Sequence, residues 1–109
     1  MKRIKFKIAV YDICKCEDVF PEITGYLVEI EGIKVVLHNE HYLCGDNSIN
    51  IDKTAWNASE YYTGRSIARH GSLRRDMLKI VTKTLLNAIE KSGIKRVMKI
   101  INKLPKINK

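Results

Sequence analysis

Between Lys2 and Ile13 apolar and polar positions alternate: Ile4, Phe6, Ile8 and Val10 share one side, and Lys5 and Lys7 take the other. That two-residue period predicts a half-buried strand. Cys14–Pro21 is polar and broken by proline, so it reads as a loop. Alternation resumes from Ile23 to His38, with Tyr26, Val28 and Ile30 leading into Glu31-Gly32 and Ile33, Val35 and Leu37 leading out on the same face. This is a hairpin pattern. Gly32 is expected in the left-handed position of a short turn with a bulge, because that backbone costs a glutamate more than a glycine. Glu29 and Lys34 then meet on the solvent side. Gly45-Asp46-Asn47-Ser48 has turn composition. A second hairpin is expected over Lys53–Arg69, closed by Tyr61-Tyr62-Thr63-Gly64 and anchored by Trp56 and Ile67.

His70-Gly71-Ser72 ends the strands, and the pattern beyond it is helical. Leu73, Met77, Val81, Leu85 and Ala88, with Leu78 and Ile89 beside them, form one broad apolar face over Leu73–Ser92. Ser72 is the expected N-cap and Gly93 the residue that closes the helix. In Ile94–Leu104 a second helix turns Ile94, Val97, Met98, Ile101 and Leu104 inward and stops at Pro105. Strands first and helices last predict an α+β fold: an antiparallel sheet of about five strands in two hairpins, with two amphipathic C-terminal helices on one face. The chain is expected to form a single domain over residues 1–109, with the sheet in 1–70, the helices in 72–104 and a basic tail in 105–109.

A content of 45% apolar and 29% charged residues is that of an ordinary globular protein. No continuous apolar stretch is present to serve as a signal peptide or membrane span, which predicts a cytoplasmic protein without membrane contact. Three cysteines, an odd number, do not suggest a disulfide framework. A chain rich in Lys and Ile and poor in Pro fits an AT-rich bacterial or phage genome.

Charge changes the picture more. The overall +8 is a net −3 through Gly64 and a net +11 from Arg65, where 13 Lys and Arg face only Asp76 and Glu90. Such a split implies an anionic partner for the C-terminal half. Arg75, Lys79 and Lys83 recur every four residues on the first helix, as do Lys95, Lys99 and Lys103 on the second, with Arg96 beside them. These lysine stripes read first as solvated helix faces. Arg65, Arg69, Arg74 and Arg75 instead gather within a short span at a helix start. A guanidinium grips phosphate in two places where an ammonium acts as a point charge, and helix N-termini favour anions. These four arginines, with Tyr61 and Tyr62 as exposed stacking surfaces, are the candidate ligand site. Trp56 reads first as core.

Catalytic patterns are missing: the six glycines are scattered, no nucleophile elbow surrounds Ser72, and no acid pair stands out. No enzyme activity and no cofactor is expected. Cys14, Cys16, His38, His41 and Cys44 hold metal-ligand atoms in two clusters, yet lack the usual C-x-x-C knuckle, so a buried structural role is preferred to zinc.

The segment Trp56-Asn57-Ala58-Ser59-Glu60-Tyr61-Tyr62-Thr63-Gly64-Arg65-Ser66-Ile67-Ala68 resembles a hairpin of small phage proteins. There, a Trp opens one strand, polar residues lead to Thr-Gly at the turn, and an Ile-centred strand feeds a helix. With a strand-rich first half and two C-terminal helices, the layout is similar to the phage anti-Thoeris sponges. That resemblance implies a protein that sequesters cyclic ADP-ribose isomers of a bacterial immune system without cleaving them. It also implies a homo-oligomer assembled through the helices, with ligand near subunit interfaces, where Arg96 of a second subunit could join the arginine cluster. No family residue transfers by position, so the site residues are those read from charge. The sequence leaves two other readings open. One is a nucleic-acid-binding accessory protein using Lys95, Lys99 and Lys103, and the other an inhibitor of an acidic host protein.

Overall fold

The computed structural model describes residues 1–12, 15–43 and 49–109. Its elements are β1 (Lys2–Lys7), β2 (Val10–Asp12), β3 (Glu17–Val19), β4 (Glu22–Ile30), β5 (Ile33–Leu43), β6 (Ile49–Glu60), β7 (Ser66–Gly71), α1 (Arg74–Ser92) and α2 (Ile94–Lys103). Five strands form an antiparallel sheet in the order β1-β4-β5-β6-β7, and β2 and β3 make a separate two-stranded ribbon. The fold is α+β, as the alternation followed by helical periodicity predicts. No helix among the described residues is long and apolar enough to cross a membrane.

Where the chain departs from expectation, a backbone contact explains it. The first strand does not run on past Lys7. The Ile8 N–H donates to the Pro21 carbonyl and the Ala9 N–H to the Gly64 carbonyl, each at 3.1 Å, which pulls the chain out of the sheet. Val10–Asp12 then pairs with Glu17–Val19 inside the stretch expected to be a loop. That pairing is only three residues long and mostly buried or half-buried, too short for an apolar alternation to mark it. Ile13 lies outside the described residues, as does the expected turn Gly45–Ser48. β5 extends beyond His38 to Leu43 and β6 begins at Ile49, so the two expected hairpins belong to one continuous meander. At the β4–β5 turn Ile30 faces Ile33, leaving a two-residue loop with Glu31 at φ 51° and Gly32 at φ 80°. The expected bulge is replaced by a turn with both residues left-handed, whose twist matches the flanking strands better than a standard turn would. Helix α1 starts one residue late for Ser72 to cap it. Leu73 takes the N-cap position, where no side chain caps, and its carbonyl accepts from the Met77 N–H at 3.0 Å.

β5 is the middle strand and is buried on both faces. Val35 and Leu37 enter one core with Ile30, Ile33, Ala58 and the α1 residues Met77, Val81 and Leu85. Val36, between them, enters a second core with Phe6, Ile8 and Ile23 on the opposite face. Val35, Val36 and Leu37 are all fully buried, which explains an unbroken apolar run where a one-sided strand would alternate. Each such side chain stabilises the fold by about 1.5–3 kcal/mol. The α2 residues Val97, Met98 and Ile101 complete the helix-side core from its margin.

The tail 105–109 returns to the sheet. The N–H groups of Ile107 and Asn108 both donate to the Tyr62 carbonyl, at 2.7 and 3.0 Å. The Asn108 side chain accepts from the Lys7 N–H and donates to the carbonyls of Lys7 and Tyr61, all at 2.7 Å. Gly64, at φ 66°, makes this approach feasible: a Cβ there would lie 2.7 Å from both Ile107 Cδ1 and the Lys7 carbonyl oxygen. The two ends of the chain are thus clasped around the β6–β7 turn. The buried Glu60 carboxylate braces the turn from within by accepting from the N–H groups of Tyr62 and Thr63 at 3.1 and 2.8 Å.

Candidate functional site

The sequence-inferred residues go to separate partners. Arg65 forms an ion pair with Asp18 of β3, Nη2 to Oδ2 at 2.9 Å. Arg69 donates from Nε to the Ser66 hydroxyl at 3.2 Å. Arg74 reaches back from the first turn of α1 and lays its guanidinium 4.2 Å from the Tyr26 ring centroid. Arg75 and Arg96 are exposed on α1 and α2. Tyr61 is half-buried, stacked on Phe6 at 6.4 Å and donating its hydroxyl to the Lys109 carbonyl at 2.9 Å. Tyr62 stands between the ammonium groups of Lys34 and Lys106, 5.5 and 5.4 Å from its ring. A hydrogen bond with Tyr62 is the main reason the Lys34 pKa is raised. The tyrosines belong to the clasped turn, Arg65 to the β2–β3 ribbon, and Arg74 to the helix side of the sheet.

A concavity of about 680 Å³ lies where α1 stops covering that same side. Its floor is assembled by cross-strand register. Arg3 is opposite Tyr26, Tyr26 opposite Leu37, and Asn39, two residues beyond Leu37, opposite Trp56. Strand alternation therefore puts Arg3, Tyr26, Asn39 and Trp56 on one face. Glu22 and Thr24 continue it along β4, while Ile49, Ile51 and Lys53 from the first half of β6 supply a wall. The Tyr26 and Trp56 rings are 6.2 Å apart at 43°. Trp56, expected in the core, is half-buried: it packs on the helix-side core and also lines the concavity.

One end of the site is organised by the irregularity between Asn39 and Glu40 in β5. The Asn39 carbonyl there accepts from Nδ1–H of both His38 and His41, each at 2.7 Å. This sets the tautomer of His38, whose Nε2 then accepts from the Ser59 hydroxyl at 2.8 Å. Burial pushes the His38 pKa down to about 4, against the opposing effect of the Asn39 carbonyl. Burial lowers that of His41 too, again opposed by that carbonyl. Both rings are neutral at pH 7, so the charges lining the concavity are those of Arg3, Lys53 and Glu22. Among the described residues no cluster of three His, Cys, Asp or Glu could hold a metal. Cys14 and Cys44 of the considered zinc set lie outside the described residues.

Arg3, Asn39 and Lys53 were not singled out from the sequence as site residues, Tyr26 was read only as a strand position, and His41 was weighed only as a zinc ligand. The signal available was Arg3, a guanidinium in the half of the chain that is net acidic. No protein-family model, curated protein or solved structure matches this chain.

Proposed function

We propose that this protein binds an anionic, ring-bearing small molecule of the nucleotide class in the concavity beside α1 and holds it without chemical change. The observation that carries the reading is the meeting of two exposed cations, Arg3 and Lys53, with the Tyr26–Trp56 pair in one concave space. Phosphate calls for the first and a base for the second. The volume of about 680 Å³ suits a ligand between a mononucleotide and a cyclic dinucleotide. Arg74, stacked on the outer cavity residue Tyr26, is placed to swing onto a phosphate, exchanging a cation–π contact for a charge-assisted one. Sequestration of a cyclic nucleotide immune signal, as in the phage sponges that the layout resembles, is the specific form of this proposal. It moves the ligand from the Arg65–Arg75 cluster to the sheet floor and keeps only Arg74 of that set.

Native mass spectrometry with a panel of cyclic nucleotides, linear nucleotides and cyclic ADP-ribose isomers tests it. The expected result is a discrete added mass equal to one intact panel member. A folded protein that takes up none of them, or that releases a cleaved product, would overturn the reading.

A further inference from the structure

Away from this concavity, the flanks of the two helices, running outward from the core-packed Leu78 and Met98, repeat one arrangement. On α1 a shallow groove of about 430 Å³ runs over Leu78, Thr82 and Leu86 with Lys79 and Lys83 along it. On α2 a groove of about 540 Å³ runs over Ile94, Met98 and Asn102 with Lys95, Lys99 and Lys103 along it. In each, floor residues recur every four positions and each lysine follows a floor residue directly, so ammonium groups edge a mostly apolar strip. The strips are exposed at Leu86, 44% accessible, and Ile94, 39%. Among the described residues none of these lysines has an ion-pair partner, since the ion pairs there are Arg65–Asp18 and His70–Glu40.

We infer that this face docks an acidic amphipathic helix of a partner protein. Aliphatic side chains every three to four residues would fill the strips, and flanking carboxylates would meet the lysines. Charge decides against a second copy of the chain. From Arg74 to Leu104 nine Lys and Arg face only Asp76 and Glu90, so two such faces would repel. The apolar floors decide against nucleic acid, whose phosphates satisfy lysines while leaving Leu86 and Ile94 without an apolar partner.

The probe is a fluorescein-labelled 18-residue peptide with Leu at helical spacing and Glu between, titrated by fluorescence anisotropy, with its Lys-for-Glu counterpart and an 18-base-pair duplex DNA as competitors. The acidic peptide is expected to bind and its basic counterpart not. Lys95→Glu/Lys99→Glu/Lys103→Glu should weaken binding at least tenfold, and Leu86→Ser/Ile94→Ser at least fivefold. All these positions are exposed, and circular dichroism of each variant checks that the helices remain. Binding untouched by Leu86→Ser/Ile94→Ser would be bulk charge attraction and overturns the inference. So would failure of the acidic peptide to bind, displacement by the DNA with a steep salt dependence, or sedimentation showing a dimer that the lysine substitutions strengthen. Arg3→Glu should leave peptide affinity unchanged, which separates this face from the nucleotide site.

Discussion

Asn108 is one residue from the end of the chain, yet its side chain satisfies three backbone groups belonging to Lys7 and Tyr61. It treats Lys7 as a neighbouring strand would, accepting from its N–H and donating to its carbonyl. Asn108→Ala removes three hydrogen bonds of 2.7 Å from a residue only 9% exposed. Each contributes about 0.5–1.5 kcal/mol net, and their former partners lose most of their access to water, so the loss should total about 2–4 kcal/mol. Against a whole-domain stability of about 5–15 kcal/mol this is a large fraction. It corresponds to a fall in Tm on the order of 10–20 °C. Urea and thermal unfolding followed by circular dichroism measure it directly. Asn108→Asp sharpens the test. It keeps an acceptor for the Lys7 N–H but sets a carboxylate oxygen against two carbonyl oxygens, so it should be at least as damaging as alanine. Were Asn108→Ala within about 0.5 kcal/mol of wild type, the clasp would contribute nothing and the reasoning would fail.

Gly64→Ala should cost at least about 2 kcal/mol in urea unfolding, since its φ of 66° disfavours a Cβ and that atom would meet the Lys7 carbonyl. A loss below about 0.5 kcal/mol would mean the turn relaxes freely. Protonation gives a second test. The His38 pKa is near 4 in the fold and 6.5 when unfolded, so below pH 6.5 the unfolded chain binds a proton the fold refuses. Stability should therefore drop as pH falls from 6.5 to 4, by about 3 kcal/mol from this residue. His38→Gln should remove that part of the slope, and an unchanged slope would contradict the assignment. Arg65→Ala should cost under about 1 kcal/mol, because its pair with Asp18 is partly exposed, at 39% and 32%. A double-mutant cycle with Asp18→Ala checks this, and a coupling above about 2 kcal/mol would show a stronger bond than the geometry implies.

Legibility followed the range of the interactions. Tyr26, Val28 and Ile30 face Leu37, Val35 and Ile33 as the alternation requires, because a two-residue turn transmits register locally. Glu29 likewise faces Lys34. The face of α1 that carries Met77, Val81 and Leu85 is buried for the same kind of reason, helical period. By contrast, the β2–β3 ribbon depends on Ile8 bonding to Pro21, and the tail depends on Asn108 reaching Lys7. Neither partner leaves a mark in the neighbouring sequence. The candidate site behaves the same way. Arg65, Arg69, Arg74 and Arg75 are close in sequence, but strand and helix send Arg65 to Asp18 and Arg74 to Tyr26. Arg3, Tyr26, Asn39 and Trp56 are far apart in sequence and adjoin through three strand pairings. Closeness along the chain does not give closeness in space, because folding redistributes neighbours.

The central claim, a nucleotide-class ligand on the sheet floor, is tested most directly by isothermal titration calorimetry of a panel ligand into wild type, Arg3→Glu and Arg75→Glu. The expected result is one site per chain, at least tenfold weaker in Arg3→Glu and unchanged in Arg75→Glu. Affinity lost in Arg75→Glu and kept in Arg3→Glu would return the site to the arginine cluster and contradict the account.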